Sequence, residues 1–316
     1  MHFLRKVKTL VGLLKNLREI PTIPSRLSQH ERAVTGEQLS EEIQKLVNFI
    51  DFRFAENKSL KNLEHIALQS GAAIQRLLGY DDLALCVETV KSIAVDSLDH
   101  IHPWGTKQDN SKNLVFNLRL CEWIGLERLR ILDIGCSGGG FVKSIHDAGV
   151  LAVGIEGSDY SKIRARAEWG MIPHRLFTAD ATAPFTIYDA RKGSPGNPIK
   201  FSVITAWEFI EHIEEADLVG VFDNIERHLE RNGVVIMSVS PNDDFVHGVN
   251  LHRTVKPFDW WLKTVNAFGF KHHQSVVAYF APDKWVRYEE NAPDSFHLVL
   301  TRETDSLPPF SMDYSQ

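Results

Sequence analysis

Residues 131–141 read Ile-Leu-Asp-Ile-Gly-Cys-Ser-Gly-Gly-Gly-Phe, and an amphipathic stretch from Phe141 to Ala148 follows. A short apolar run, then glycines, then helical periodicity predicts a buried parallel strand, a tight turn and a helix. That is the first βα unit of a doubly wound sheet. Only a residue without Cβ accepts positive φ freely and lets a ligand lie against the backbone, so the turn is read as a nucleotide-type site.

Departures from the dinucleotide pattern decide which nucleotide. Gly135, Gly138 and Gly140 stand as G-x-x-G-G-G, not as the G-x-G-x-x-G that seats a pyrophosphate. Asp133 lies two residues before the first glycine, where its carboxylate would repel phosphate and attract an ammonium group. S-adenosylmethionine has no phosphate and carries an α-ammonium and a sulfonium. The stretch LDIGCSGGG resembles the first motif of the class I S-adenosylmethionine-dependent methyltransferases. The resemblance implies a seven-stranded, mostly parallel Rossmann-like sheet and a cofactor site at Asp133, Gly135, Cys136 and Gly138.

The later strands follow in order. Leu151–Ile155 is a second buried run ending in Glu156 and Gly157, and an acidic side chain at that tip is placed to accept both ribose hydroxyls. His174–Thr178 reads as the third strand, ending at Asp180 and Ala181, where the resembled family holds the adenine amino group. Phe201–Thr205 is the fourth strand, running into Ala206, Trp207 and Glu208, and Trp207 is a further cofactor candidate. Leu229–Asn242 holds a glycine turn and the fifth strand. Phe268–Phe280 and Ser295–Arg302 alternate in a way that suits a closing antiparallel pair. The resemblance covers roughly Arg130 to Arg302.

Ligands bind outside the carboxyl ends of parallel strands, so residues after the fourth strand face the acceptor. Glu208, Glu211 and His212 are spaced i, i+3 and i+4, which predicts one helical face, and His252 follows in the segment after the fifth strand. Two carboxylates and two imidazoles there are candidate ligands for a divalent cation, magnesium or manganese on the carboxylates, zinc on the imidazoles. E-x-x-E-H with a later His resembles metal-dependent 2′-O-methyltransferases of small-RNA 3′ ends, and E-x-x-E-H alone resembles quinone-biosynthesis O-methyltransferases. The competing reading makes Glu208 a helix-start charge and His212 a packing contact. His212 and His252 are the candidates for taking the acceptor's proton, with Glu211 beside them.

The N-terminal third carries no catalytic constellation. Phe3, Val7, Leu10, Val11, Leu14 and Leu17 form a helical stripe within residues 1–20, flanked by Arg5, Lys6, Lys8, Lys15 and Arg18. Such a basic amphipathic helix lies on an anionic membrane surface, mediates self-association through residues 1–24, or covers its own protein. Further helices are expected over Ser40–Ala55, Leu60–Leu78 and Leu83–Val95, and residues 99–110, with His100, His102 and Trp104, form a turn-rich connector placed to act as a lid. The expected organisation is an all-α appendage over 1–110, the methyltransferase domain over 111–302 and a tail over 303–316. A net charge of −6 over 316 residues gives no field for holding nucleic acid, and three scattered cysteines imply neither disulfides nor a cysteine zinc site. With no export signal or membrane span, a cytoplasmic enzyme acting on a hydroxyl of a sugar, glycan or small metabolite is expected. The rivals are RNA 3′-end methylation and a non-catalytic cofactor-binding regulatory module.

Overall fold

The computed structural model describes residues 71–76, 78–94, 111–192, 198–280, 284–288 and 292–309. The stripe of residues 1–20, the helix expected over Ser40–Ala55, the connector over 99–110 and residues 310–316 of the tail lie outside them. Within the expected Leu60–Leu78 helix, residues 71–76 are helical.

The strands are β1 (Leu85–Thr89), β2 (Arg130–Ile134), β3 (Leu151–Glu156), β4 (Leu176–Thr178), β5 (Phe185–Asp189), β6 (Phe201–Trp207), β7 (Leu229–Val239), β8 (Phe245–Val246), β9 (Val249–Asn250), β10 (Phe270–His272) and β11 (Phe296–Arg302). The α-helices that matter below are α1 (Leu114–Ile124), α2 (Gly140–His146), α3 (Tyr160–Ile163), α4 (Leu218–His228), α5 (Phe258–Ala267) and α6 (Gln274–Phe280). A seven-stranded sheet runs in the order β10-β11-β7-β6-β2-β3-β4. The five strands from β7 to β4 are parallel, and β11 and β10 add antiparallel at one edge.

The central strands are mostly apolar on both sides because both faces are covered. Side chains alternate across a strand, so Ile131, Ala152, Val203, Val234 and Ile236 enter one core with α1, α2 and α6. Leu132, Val153, Ile204, Val235 and Met237 enter the other with α4 and α5. Helix α1 begins at Asn113, whose side-chain oxygen accepts from the amides of Val115 (2.9 Å) and Phe116 (3.4 Å).

Two expectations fail. Over the expected helix Leu83–Val95, the described residues 83–94 are not helical. Leu85–Thr89 is strand β1, paired antiparallel with β5 from Leu85↔Asp189 to Thr89↔Phe185 as a separate two-stranded ribbon. The predicted alternating run over Phe268–Phe280 is strand only at Phe270–His272. Gln274–Phe280 is helix α6, burying Val276, Tyr279 and Phe280 at i, i+3 and i+4.

Helix α4 fixes β5 through two side chains four residues apart. Asn224 accepts from the Phe185 amide (3.1 Å) and donates to the carbonyls of Ala181 (2.9 Å) and Ala183 (2.8 Å). His228 accepts from the Ile187 amide at Nε2 (3.2 Å), so its Nδ1 carries the proton and donates to the Asn224 carbonyl (2.8 Å). Burial pushes the His228 imidazole down to about 4. An unfolded histidine protonates near 6.5, so as pH falls from there toward 4 the unfolded state gains the proton first and stability drops, by up to roughly 3 kcal/mol. NMR titration should find the His228 ring neutral down to about pH 5; a midpoint at the ordinary histidine value would disprove the buried acceptor role.

Candidate functional site

The site grows from the carboxyl end of β2. After Ile134 the chain turns at Gly135 (φ +75°), and the amides of Gly135 (2.9 Å) and Cys136 (3.0 Å) both donate to the Ile155 carbonyl, holding the turn against β3. Ser137 and Gly139 also have positive φ, and the Gly139 amide closes the turn on the Cys136 carbonyl (2.8 Å). The Gly138 carbonyl accepts from the Glu168 amide (3.0 Å), and the Trp169 indole donates to the Ser137 carbonyl (2.9 Å). The Cys136 thiol is buried against Gly154, where a Cβ would lie 2.7 Å from its sulfur.

Three acidic strand ends surround this turn. Asp133 is 2% exposed and accepts a hydroxyl hydrogen bond from Thr205 (2.6 Å). Burial pushes its carboxyl up to about 7, the Thr205 bond opposes this, and the charge of Glu156 adds to it. A carboxyl held in that state fits an incoming cation, whose charge repays the lost hydration. At the tip of β3, Glu156 accepts from the amides of Ser137 (2.7 Å) and Ser158 (3.3 Å), joining the two turns through one side chain. After β4, Asp180 accepts from the Thr182 amide (2.8 Å) and hydroxyl (2.6 Å) on one oxygen, and pairs with Lys91 (2.7 Å) through the other. Burial alone would raise Asp180; the bonds from Lys91 and Thr182 hold its carboxyl below the usual value.

Lys91 arrives from the chain after β1, whose Lys91 carbonyl takes the Asp180 amide (2.9 Å) while the Ala94 amide reaches the Gly157 carbonyl (2.9 Å). Residues 91–94 therefore cross the tips of β3 and β4 at Gly157 and Asp180. Trp207, at the end of β6, is 7% exposed, and its indole packs edge-on against Phe116 (5.1 Å) and Phe141 (5.5 Å) in the core.

Beyond β6 the structure corrects the sequence reading of the four candidate metal ligands. Glu208, Glu211 and His212 do not share an α-helical face. Glu208 has φ +47°, which interrupts any helix, and only Ile210–His212 form a single 3-10 turn. Glu211 points inward, is 0% exposed and accepts from the Ser240 amide (2.9 Å). Burial pushes the Glu211 carboxyl well above the usual range, with the nearby Glu208 charge adding to it. The rings of His212 and His252 meet edge-on at 4.7 Å. Nδ1 of His252 donates to the Asn242 carbonyl, leaving Nε2 as its acceptor nitrogen. Among the described residues no group of three or more His, Cys, Asp and Glu is placed to hold a metal ion, so Glu208, Glu211, His212 and His252 are not gathered as a ligand set.

Sequence reasoning missed the residues that the chain between α6 and β11 brings to this place. Ser295 donates its hydroxyl to Glu208 (2.7 Å). Arg287 is 7% exposed and its guanidinium field acts on both Asp133 and Glu211. Trp285 stacks on His297 with ring centroids 4.0 Å apart, and the Asn113 side chain donates to the Trp285 carbonyl (2.8 Å). No local motif marks these residues; they follow β6 by about eighty to ninety positions of sequence, next to β11, which returns antiparallel to β7.

Comparison with known proteins gives a consistent family. A family model described as a methyltransferase domain matches residues 38–278. The ubiquinone biosynthesis O-methyltransferase of Brucella ovis is 34% identical over 97 residues, covering 29% of this chain and 34% of that protein. That of Brucella canis gives the same figures. The chain thus spans about a third of the length of the curated relatives it matches. Among solved structures, a methyltransferase dependent on S-adenosylmethionine from Clostridium acetobutylicum aligns at TM-score 0.44 and 12% identity, over 64% of this chain and 97% of its own. A sugar N-methyltransferase from a Streptoalloteichus species aligns at TM-score 0.43 and 16% identity, over 68% and 96%. No helix of the described residues is long and apolar enough to cross a membrane.

Proposed function

We propose, since this chain belongs to the methyltransferase-domain family and is a class I S-adenosylmethionine-dependent methyltransferase, that it transfers the methyl group to a hydroxyl of a sugar, glycan or other small metabolite. The observation that carries the acceptor side is the polar wall beside the cofactor turn: Glu208 just past the carboxyl end of β6, and the His212–His252 ring pair. Such a lining suits an acceptor rich in hydrogen-bonding groups.

The residues present fit the cofactor. Asp133 is a buried carboxyl suited to the α-ammonium, Glu156 to the ribose hydroxyls, and Asp180 with Ala181 to the adenine edge. A carboxylate oxygen has two acceptor positions, so Asp180 retains capacity beside Lys91 and Thr182. When bound, S-adenosylmethionine supplies a methyl on a sulfonium that is already a good leaving group. The chain's own task is to position the acceptor and receive its proton. His212 and His252 orient the acceptor at the mouth of the site.

An acceptor screen with methyl-labelled S-adenosylmethionine tests this, using sugars, glycans and phenols in parallel with RNA 3′ ends. Label on a hydroxyl compound is expected. Label confined to RNA, or to none of these compounds, would overturn the reading. Adding a chelator should leave turnover unchanged, because Glu211 is committed to the Ser240 amide and the four donors are not gathered. Loss of turnover that magnesium, manganese or zinc restores would return those four residues to a metal role.

A further inference from the structure

We infer that Glu208 is the proton acceptor of the transfer, a role that spacing alone had pointed to His212 or His252 to fill; the inference rests on the hydroxyl-acceptor reading above. Three observations place it there. Glu208 follows the last residue of β6 directly and holds φ +47°, a conformation that a side chain-bearing residue adopts only at a cost of about 1–3 kcal/mol and that is characteristic of functional positions. That backbone is held by the end of β7, where the Glu208 amide meets the hydroxyl (2.9 Å) and carbonyl (3.3 Å) of Ser238. The next residue, Phe209, packs its ring on Gly135, so Glu208 stands one residue from the wall of the cofactor turn.

The carboxylate itself is oriented and half used. Oε2 takes the Ser295 hydroxyl (2.7 Å), while Oε1 is enclosed and has no hydrogen-bond partner among the described residues. A desolvated carboxylate oxygen without a donor costs free energy that a donor's arrival returns.

The step balances with these groups alone. The acceptor O–H bond breaks and its proton passes to Oε1 of Glu208. The oxygen's electron pair forms the bond to the methyl carbon, and the methyl–sulfur bond breaks with its pair left on sulfur. One proton is then released from Glu208 to solvent.

The test is E208Q, which keeps the size of the side chain and its Ser295 contact but removes the basic oxygen. It is assayed with the acceptor found by labelled-methyl transfer and with unsubstituted and nitro-substituted phenols as probes. Cofactor affinity by calorimetry should stay within about threefold of wild type, while turnover of weakly acidic hydroxyls falls by about 10²- to 10⁴-fold. The deficit should shrink below about tenfold for nitro-substituted phenols, which reach the site already ionised and need no base. Wild-type turnover of weakly acidic hydroxyls by E208Q, or an equal deficit across the acidity series, overturns the inference while leaving the hydroxyl reading intact. A wild-type enzyme that labels no hydroxyl defeats the hydroxyl reading itself. Should E208Q lose cofactor binding, S295A serves instead: it should slow weakly acidic acceptors about tenfold and spare the ionised ones, and an acidity-independent effect there again overturns the inference.

Discussion

Replacing Gly135 by alanine should reduce S-adenosylmethionine affinity by about a hundredfold or more, seen as a calorimetric titration that no longer saturates at wild-type concentrations. Two costs add. At φ +75° any side chain is strained, and a Cβ built there lies 2.5 Å from Cδ2 of the Phe209 ring, a distance no carbon pair sustains. The turn must therefore move away from β6, breaking the paired amide bonds to the Ile155 carbonyl that hold it in place. Together these exceed about 3 kcal/mol, which is the stated loss. Gly248 is the control. It has φ +81° but nothing within 4 Å of its Cβ position, so Gly248→Ala should cost only about 1 kcal/mol of stability and leave cofactor affinity alone. Equal behaviour of the two variants would show that the Phe209 contact is irrelevant.

Asp133→Asn should move stability and affinity in opposite directions. The carboxyl is raised from its usual value near 3.8 to about 7 in the folded chain. A group that holds its proton better when folded contributes most below the unfolded value, and that contribution is lost as pH rises through 4 toward 7. Asparagine, which can still accept from Thr205, never pays this loss. The cofactor-free variant should therefore melt higher than wild type at pH 8, by an amount worth up to roughly 4 kcal/mol, with the gap closing toward pH 4. Its affinity for S-adenosylmethionine should fall roughly tenfold to a hundredfold because the ammonium loses a charged partner. A melting difference that is flat with pH would show that Asp133 is not protonated in the empty protein, and unchanged affinity would show that it is no cofactor contact.

What the sequence revealed and concealed follows from the range of the interactions. The strands β2, β3, β6 and β7 were readable because a strand covered on both faces carries consecutive apolar residues, and the Gly-rich turn was readable because backbone demand selects glycine directly. Strand β1 was not. Its Leu-Cys-Val-Glu-Thr run fits a helix as well as a strand, and the choice is made by β5, whose residues pair with it from a hundred positions away. Helix α6 misled for the converse reason: Val276, Val277 and Tyr279 favour strands intrinsically, but burying one side at Val276 and Phe280 selects the helix. Glu208, Glu211 and His212 were found, yet their arrangement was not, because residue spacing assumes a regular backbone and Glu208 does not have one. Ser295 and Arg287 carry no local signal at all.

The same distances set the order in which the protein can be made. Asp133 and Thr205 are 72 residues apart, Glu208 and Ser295 are 87 apart, and Asn113 reaches Trp285 across 172. A chain still emerging from the ribosome has its Gly-rich turn early, but it has no Ser295 beside Glu208 until β11 has returned to β7. Closing such long loops delays assembly, since their entropy is spent before any contact repays it. The wall that holds Glu208 is therefore completed after the turn and strand tips at Asp133, Glu156 and Asp180, and a ligand bound to the finished protein stabilises it by mass action.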